Sequence, residues 1–330
     1  MTQDKPVLFS GVRPTGRAHV GNLLGAFENW VSLQDRYTCY FCAVDWHALT
    51  TGYEDTSMLR ENTRELIIDL LSVGIDPERS TLFIQSQCKQ HAELALLLGM
   101  VTPLGWLERC PTYKDQLRQL EGRELTNFGF LGYPVLQAAD ILAYGGEYVP
   151  VGEDQLHHLE LSREIVRRFN NIYGTSLPEA KPLLSKFPLL PGTDGRKMSK
   201  SYGNDISLAA EPAEIQTKVM SMITDPARIR KNDPGHPEVC NVYALHKAFS
   251  AGSWEQIGDE CRAGCRGCVD CKRQLSTAII DYLAPVRARR TELLGNPGRV
   301  DEIIEYGGSK ARAQSELMLA QVRRAMHVWA

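Results

Sequence analysis

The chain has 330 residues, 43% hydrophobic and 23% charged, which fits a globular protein of two domains and excludes a disordered or fibrous one. No run of 18 apolar residues offers a membrane helix, and the opening MTQDKPVLFSG lacks the basic and apolar regions of a secretory leader, so the expected compartment is the cytoplasm. The net charge of −3 gives no bulk attraction to nucleic acid, but from Cys271 to Ala330 ten Lys or Arg stand against six Asp or Glu, compatible with a local polyanion partner or a solvated helical face.

In chain order, PVLFSGV, CYFCAVDW (Cys39–Trp46) and TLFIQSQ (Thr81–Gln87) are short apolar runs that read as strands. Between the first two, Leu24, Phe27 and Val31, with Leu23 and Trp30 beside them, recur at helical spacing. This alternation predicts an α/β fold with a parallel sheet covered on both faces. Ligands of such folds bind beyond the carboxyl ends of the strands, where Asp45, His47, Gln85 and Gln87 lie. After about residue 206 the strand-like runs cease, and STAIIDYLAPVRARRTELL and SKARAQSELMLAQVRRAMHVW are helical in composition, separated by GNPGR. The expected division is a parallel-sheet domain over 1–205 and a helical domain over 206–330.

The stretch FSGVRPTGRAHVGNLLGAF leads from the first strand into the first helix, so its turn offers backbone N–H groups and a positive dipole end to a phosphate. It is neither GxGxxG nor a P-loop, and a turn of this kind also serves purely structural ends. His19 and Asn22 lie three residues apart on one face and can both donate to phosphate oxygens, while Gly21 leaves room for a ring against the backbone. Far downstream, GRKMSKSYGN places Lys197, Ser199, Lys200 and Ser201 on what reads as an exposed, mobile loop hinged by Gly195 and Gly203.

Five of nine cysteines, Cys240, Cys261, Cys265, Cys268 and Cys271, fall within 32 residues. Thiolates gathered this closely in a reducing compartment point to a metal rather than disulfides, and four of them suit either Zn²⁺ or an iron–sulfur cluster. The overlapping CxxC pairs are not the usual double knuckle of zinc sites. Cys39 and Cys42 form CxxC by letter only; on a strand they point to opposite faces and, with Cys88 and Cys110, read as small buried hydrophobes.

The pair PTGRAHVGN and, some 180 residues later, KMSKS resembles the two signature sequences of class I aminoacyl-tRNA synthetases, with His19-Val20-Gly21-Asn22 standing for the first and Lys197-Met198-Ser199-Lys200-Ser201 for the second. The segment Gly132–Asn170, containing AADIL and VPVGEDQ, resembles the tryptophanyl-tRNA synthetases. The resemblance implies a Rossmann-like catalytic domain ending in the KMSKS loop, a helical anticodon-binding domain, a homodimer, and the partners ATP, Mg²⁺, L-tryptophan and tRNA(Trp). It implies ATP contacts at Arg13, Pro14, Thr15, Gly21, Asn22, Gly152, Glu153, Asp154, Lys197, Met198, Ser199, Lys200 and Ser201, with Lys197, Lys200, Lys114, His19 and Asn22 catalytic. Asp140 is implied to accept the indole N–H, Gln155 to hold the polar end of the amino acid, His47 to lie near the pocket, and Phe9, Ile141, Val149 and Val151 to wall it. The chemistry supports Asp140 independently, because indole N–H is a donor without acceptor function and an apolar slot needs one buried acceptor to recognise it. A helix cap for Ile141 is the structural alternative. An iron–sulfur-containing subset of the family has a similar cysteine run, which implies Cys240, Cys261, Cys268 and Cys271 as ligands of a [4Fe-4S] cluster, Cys265 being spare, with Arg262, Arg266, Lys272 and Arg273 near RNA phosphates.

Three positions depart from the family pattern: Arg13 replaces a frequent Gln, Gln137 a frequent Met, and Asn22 the second His of the first signature. Gln137 brings the sister tyrosyl enzymes into view, and GEDQ favours tryptophan. Two further alternatives are a catalytically idle RNA-binding relative, which the retained Lys197, Lys200, His19 and Asp140 disfavour, and a small nucleotidyltransferase, which lacks a helical domain of this size.

Overall fold

The computed structural model describes residues 5–110, 127–184 and 190–329. Two compact units are built from interleaved segments: one from residues 1–16, 29–185 and 296–330, the other from 17–28 and 186–295. The expected division at residue 205 was a single cut; chain contacts group the segments differently.

The first unit carries a parallel sheet of five strands, ordered β3-β2-β1-β4-β5, with β1 Val7–Val12, β2 Thr38–Ala43, β3 Ser80–Ile84, β4 Tyr148–Val151 and β5 Lys181–Leu184. The strand order turns around between β1 and β4, the switch point at which open α/β sheets bind ligands. β2 is buried at every position but the first, as helices on both faces require. It stops at Ala43, short of the expected Trp46, because Asp45 begins the helix Asp45–Gly52: its carboxylate accepts the Trp46 and Ser86 N–H groups, and Gln85 Oε1 also accepts the Trp46 N–H. Likewise Gln85–Gln87 is a short 3₁₀ turn rather than the end of β3. β4 and β5 have four residues each, too brief to stand out in the sequence.

The last helix, Pro297–Ala325, belongs to this unit and packs on β3 and the helix Gln90–Gly99. The break in GNPGR is built by Asn296, whose side chain accepts the Arg299 N–H, and by Pro297 at the first helical position. Gly307 is required there, since a Cβ would lie 1.8 Å from the Leu82 carbonyl oxygen. Ala311, Met318, Leu319 and Val322 complete a core shared with Phe83, Leu94 and Leu98.

The second unit joins the helical start Val20–Asn22 and the π turn Leu23–Phe27 to the helices Pro212–Ser221, Asn241–Phe249, Trp254–Arg262 and Cys268–Gly295. Ile215, Val219, Val242, Leu245, Ile257, Leu275, Ile279 and Leu283 are among its buried apolar residues. No helix among the described residues is long and apolar enough to cross a membrane.

Candidate active site

In the first unit, Asp140 lies inside the helix Phe128–Leu142, so it does not cap a helix starting at Ile141. Its carboxylate is buried at the carboxyl ends of β2 and β3. His91 Nδ1 is 2.6 Å and Gln85 Nε2 2.7 Å from Oδ1, and His47 Nε2 is 2.8 Å from Oδ2. His47 comes from the helix after β2, Gln85 from the turn after β3 and His91 from Gln90–Gly99. Burial alone would raise the Asp140 carboxyl, but the charges and hydrogen bonds of His47 and His91 outweigh it and hold the group at about 2. Asp140 is thus an anion at neutral pH. A carboxylate accepts about four hydrogen bonds; among the described residues two donors reach Oδ1 and one reaches Oδ2.

His91 was not singled out in the sequence, nor was Tyr144, whose hydroxyl lies 2.6 Å from His91 Nε2. Tyr144 stacks with Phe9, at 5.7 Å, and with Tyr40, at 4.4 Å. The available signal was a histidine and a tyrosine within otherwise apolar segments, which any satisfied core residue also gives. Phe9, Ile141, Val149 and Val151 all belong to the buried core beside this network. Gln137 is half-buried one helical turn before Asp140. At the end of β1, Pro14 is buried while Arg13 and Thr15 are exposed. Gly152 and the turn Glu153–Gln155, which includes Asp154, follow β4; Glu153 and Gln155 are exposed there. Lys114 lies outside the described residues.

In the second unit the two signatures meet. His19 Nδ1 accepts the Asn22 N–H at 3.3 Å and Asn22 Oδ1 accepts the His19 N–H at 3.1 Å, a reciprocal cap on the helix start. The expected pair of phosphate donors is therefore also a structural pair. Burial holds the His19 imidazole at about 4, against Asp205, which raises it, and with Lys200, which lowers it further. The ring is neutral, and with Nδ1 accepting, its proton sits on Nε2, leaving one N–H donor. The ring that packs on Gly21 is His19's own: a Cβ there would lie 2.9 Å from His19 Nδ1 and 3.4 Å from Met198 Sδ.

The KMSKS segment forms a hydrogen-bonded turn. Pro191 bridges Lys197, the Gly192 N–H donates to the Arg196 carbonyl, and Gly195 takes φ +85° at the apex. A 3₁₀ turn, Lys200–Tyr202, includes Ser201 and ends at Gly203 with φ +64°. Met198 is buried, Lys197 exposed, and Ser199 and Lys200 half-buried. Buried Asn204 fixes the segment: its Oδ1 accepts the Ser199 N–H at 2.8 Å, and its Nδ2 donates to Asp194 Oδ1 at 2.7 Å and to the Lys197 carbonyl at 3.1 Å. A Cβ on Gly192 would fall 2.3 Å from Asn204 Cγ.

Elsewhere in this unit, Cys240, Cys261, Cys268 and Cys271 line one pocket with Arg228, Arg266 and Tyr243; Cys265 is exposed and not among its lining residues. The Cys271 thiol is pushed up to about 12 by burial, opposed by Arg266 and reinforced by the other three thiols. Arg228 Nη1 lies 3.6 Å from Cys261 Sγ, and its buried Nε has no partner among the described residues. Gly235 borders the same sulfur, where a Cβ would fall 2.6 Å away. Among the described residues no group of three or more His, Cys, Asp or Glu is arranged to hold a single metal ion. Of the cations expected to meet RNA, Arg266 is tied to Glu260 and Gln274 and Lys272 to the Met220 carbonyl, whereas Arg262 and Arg273 make longer, exposed pairs with Asp259 and Asp270. Cys39, Cys42, Cys88 and Cys110 are buried free thiols.

Known proteins share this fold. The model of the class I tRNA synthetases for W and Y matches residues 1–284. The chain is 49% identical to tryptophan–tRNA ligase of Thermotoga maritima, with 97% of this chain and 99% of that protein covered. It is 44% identical to tryptophan–tRNA ligase of Aquifex aeolicus over the same shares. The solved tryptophanyl-tRNA synthetase of Campylobacter jejuni, complexed with ADP and tryptophan, superposes with a TM-score of 0.87 at 32% identity, covering 97% of this chain and 99% of that one. With the doubly wound sheet, both signatures and this likeness over almost its whole length, the chain belongs to the class I aminoacyl-tRNA synthetases, in the tryptophan–tRNA ligase family.

Proposed function

We propose that the chain joins L-tryptophan to ATP, releasing pyrophosphate and forming tryptophanyl-AMP, and then transfers the tryptophanyl group to tRNA(Trp). The observation that carries this is the buried, ionised Asp140 beside the aromatic core, with one acceptor position on Oδ2 unclaimed among the described residues. An indole N–H satisfies that position, while a phenyl ring leaves a buried anion short of a donor. Phe9, Ile141, Val149 and Val151 form the apolar walls, His47 shares Oδ2 with the indole, and Gln155 meets the polar end of the amino acid.

The carboxylate of tryptophan attacks the α-phosphorus and pyrophosphate departs, so no protein nucleophile is needed and rate comes from positioning and charge. The Lys197 and Lys200 ammonium groups neutralise the departing phosphates, with Lys114 on the triphosphate, while Ser199, Ser201 and Met198 shape that segment. His19 Nε2–H and the Asn22 amide donate to phosphate oxygens, Arg13, Pro14, Thr15 and Gly21 border the nucleotide, and Gly152, Glu153 and Asp154 meet the ribose. Mg²⁺ accompanies the phosphates. The helical part of 206–330 reads the anticodon, and the enzyme works as a cytoplasmic homodimer. Four thiols around one pocket, an Arg228 Nε unpaired among the described residues and a glycine at Cys261 fit an anionic [4Fe-4S] cluster held by Cys240, Cys261, Cys268 and Cys271. Bound there, the cluster would supply a structural cross-link.

Tryptophan-dependent ATP–pyrophosphate exchange, with tyrosine as control, tests the reading; equal rates with both amino acids, or none with either, overturn it. Asp140→Ala abolishes exchange while the fold persists. Iron and sulfide analysis after anaerobic purification tests the cluster, and zinc alone or no metal refutes it.

A further inference from the structure

We propose that His91 and Tyr144 are a positioning pair that sets tryptophan selectivity by fixing the Asp140 carboxylate, so that the one acceptor position unclaimed among the described residues lies on Oδ2. The inference rests on the reading of Asp140 as the indole acceptor. His91 is fully buried and both its ring nitrogens are engaged, Nδ1 at 2.6 Å from Asp140 Oδ1 and Nε2 at 2.6 Å from the Tyr144 hydroxyl. Both ring nitrogens are engaged in one arrangement: Nδ1–H donates to the carboxylate while Nε2 meets the phenol oxygen. Flipping the ring breaks both contacts, so the ring and the carboxylate orientation are set together.

Tyr144 is in turn buried among other rings. Its ring stacks with Phe9 and with Tyr40, and Phe83 meets it edge-on at 5.2 Å. One phenol therefore links an apolar wall of the slot, Phe9, to the acceptor at its end. With Gln85 Nε2 beside His91 on Oδ1, that oxygen has no lone pair left, and a donor arriving in the slot has only Oδ2, which His47 shares. Neither His91 nor Tyr144 needs to touch the substrate for this, which makes them positioning rather than catalytic residues.

The test compares tryptophan with its isostere 3-(benzothiophen-3-yl)alanine, in which sulfur replaces the indole N–H, in ATP–pyrophosphate exchange. The parent prefers tryptophan by on the order of 100-fold in kcat/KM. His91→Leu cuts that preference to roughly 10-fold or less, through a higher KM for tryptophan, with the KM for ATP and the rate with the isostere little changed. His91→Asn, which keeps a donor near Nδ1, restores most of the preference. Tyr144→Phe, which keeps the ring stack and removes only the hydroxyl, raises the tryptophan KM about fivefold. Parental preference in folded His91→Leu overturns the proposal, and if that variant fails to fold, parental values in Tyr144→Phe do so. Asp140→Asn separates the two readings. If it retains the preference, the assignment of Asp140 falls and the positioning pair with it; if it loses the preference while both positioning variants keep it, only the pair falls.

Discussion

Asn204 holds the backbone of Ser199: its Oδ1 accepts the Ser199 N–H at 2.8 Å while its Nδ2 donates to the Lys197 carbonyl at 3.1 Å. A single buried amide thereby fixes the chain between the two lysines of the second signature, and the Asp194 carboxylate completes its hydrogen bonds. The lysine side chains vary in exposure, but their backbone is held in one geometry.

Asn204→Ala leaves the Ser199 N–H and the Lys197 carbonyl without this partner. The expected cost is roughly 2–3 kcal/mol of stability. The exchange rate should fall on the order of 10-fold or more as the lysines lose their register. Urea unfolding and steady-state exchange measure both, and a parental rate in the variant would remove the role assigned to this amide.

The His19 ring is held at about 4 in the folded chain, below the ordinary 6.5. Folding therefore favours the neutral ring: the stabilisation is complete above 6.5 and is lost as the pH falls toward 4. Over that window the loss is on the order of 2–3 kcal/mol. His19→Asn, which can still cap the helix but does not titrate, should show a flatter acid limb in urea unfolding between about pH 4.5 and 7.5. An identical slope in the parent and the variant would contradict the assignment.

Gly307→Ala puts a methyl group into the Leu82 carbonyl. Backbone must move, so the last helix loosens from β3 at a cost of roughly 3 kcal/mol. Calorimetry reads this as a lower melting temperature, and protease cleavage near Pro297–Ala325 should appear first in the variant.

Arg323 forks onto Glu93 with two contacts of 2.6 Å and reaches Glu316 at 2.8 Å. These bonds hold Glu93 below its usual range. Lysine cannot reproduce the fork, so Arg323→Lys should lose about 1 kcal/mol, less in high salt because the group is partly exposed. Denaturation at two salt concentrations checks it.

Short-range pattern in the chain encodes much of the fold and of the chemistry. Apolar runs alternating with helical periods specify a covered parallel sheet, because strands buried on both faces must be apolar throughout. The ordered signatures and the run around Asp140 specify the family, since each combines a few polar residues with the glycines that their turns demand. Tertiary structure alone decided what those residues touch. That Asp140 is gripped by His91, Gln85 and His47 follows from three separate segments converging after β2 and β3, and a buried histidine carries no mark in the sequence of which carboxylate it will meet. The last helix reads as part of a helical domain because its composition is helical, yet it joins the sheet unit through Gly307 and Arg323, contacts between residues more than 220 positions apart. Periodicity reports which face of an element is apolar; the partner that covers the face is settled by packing.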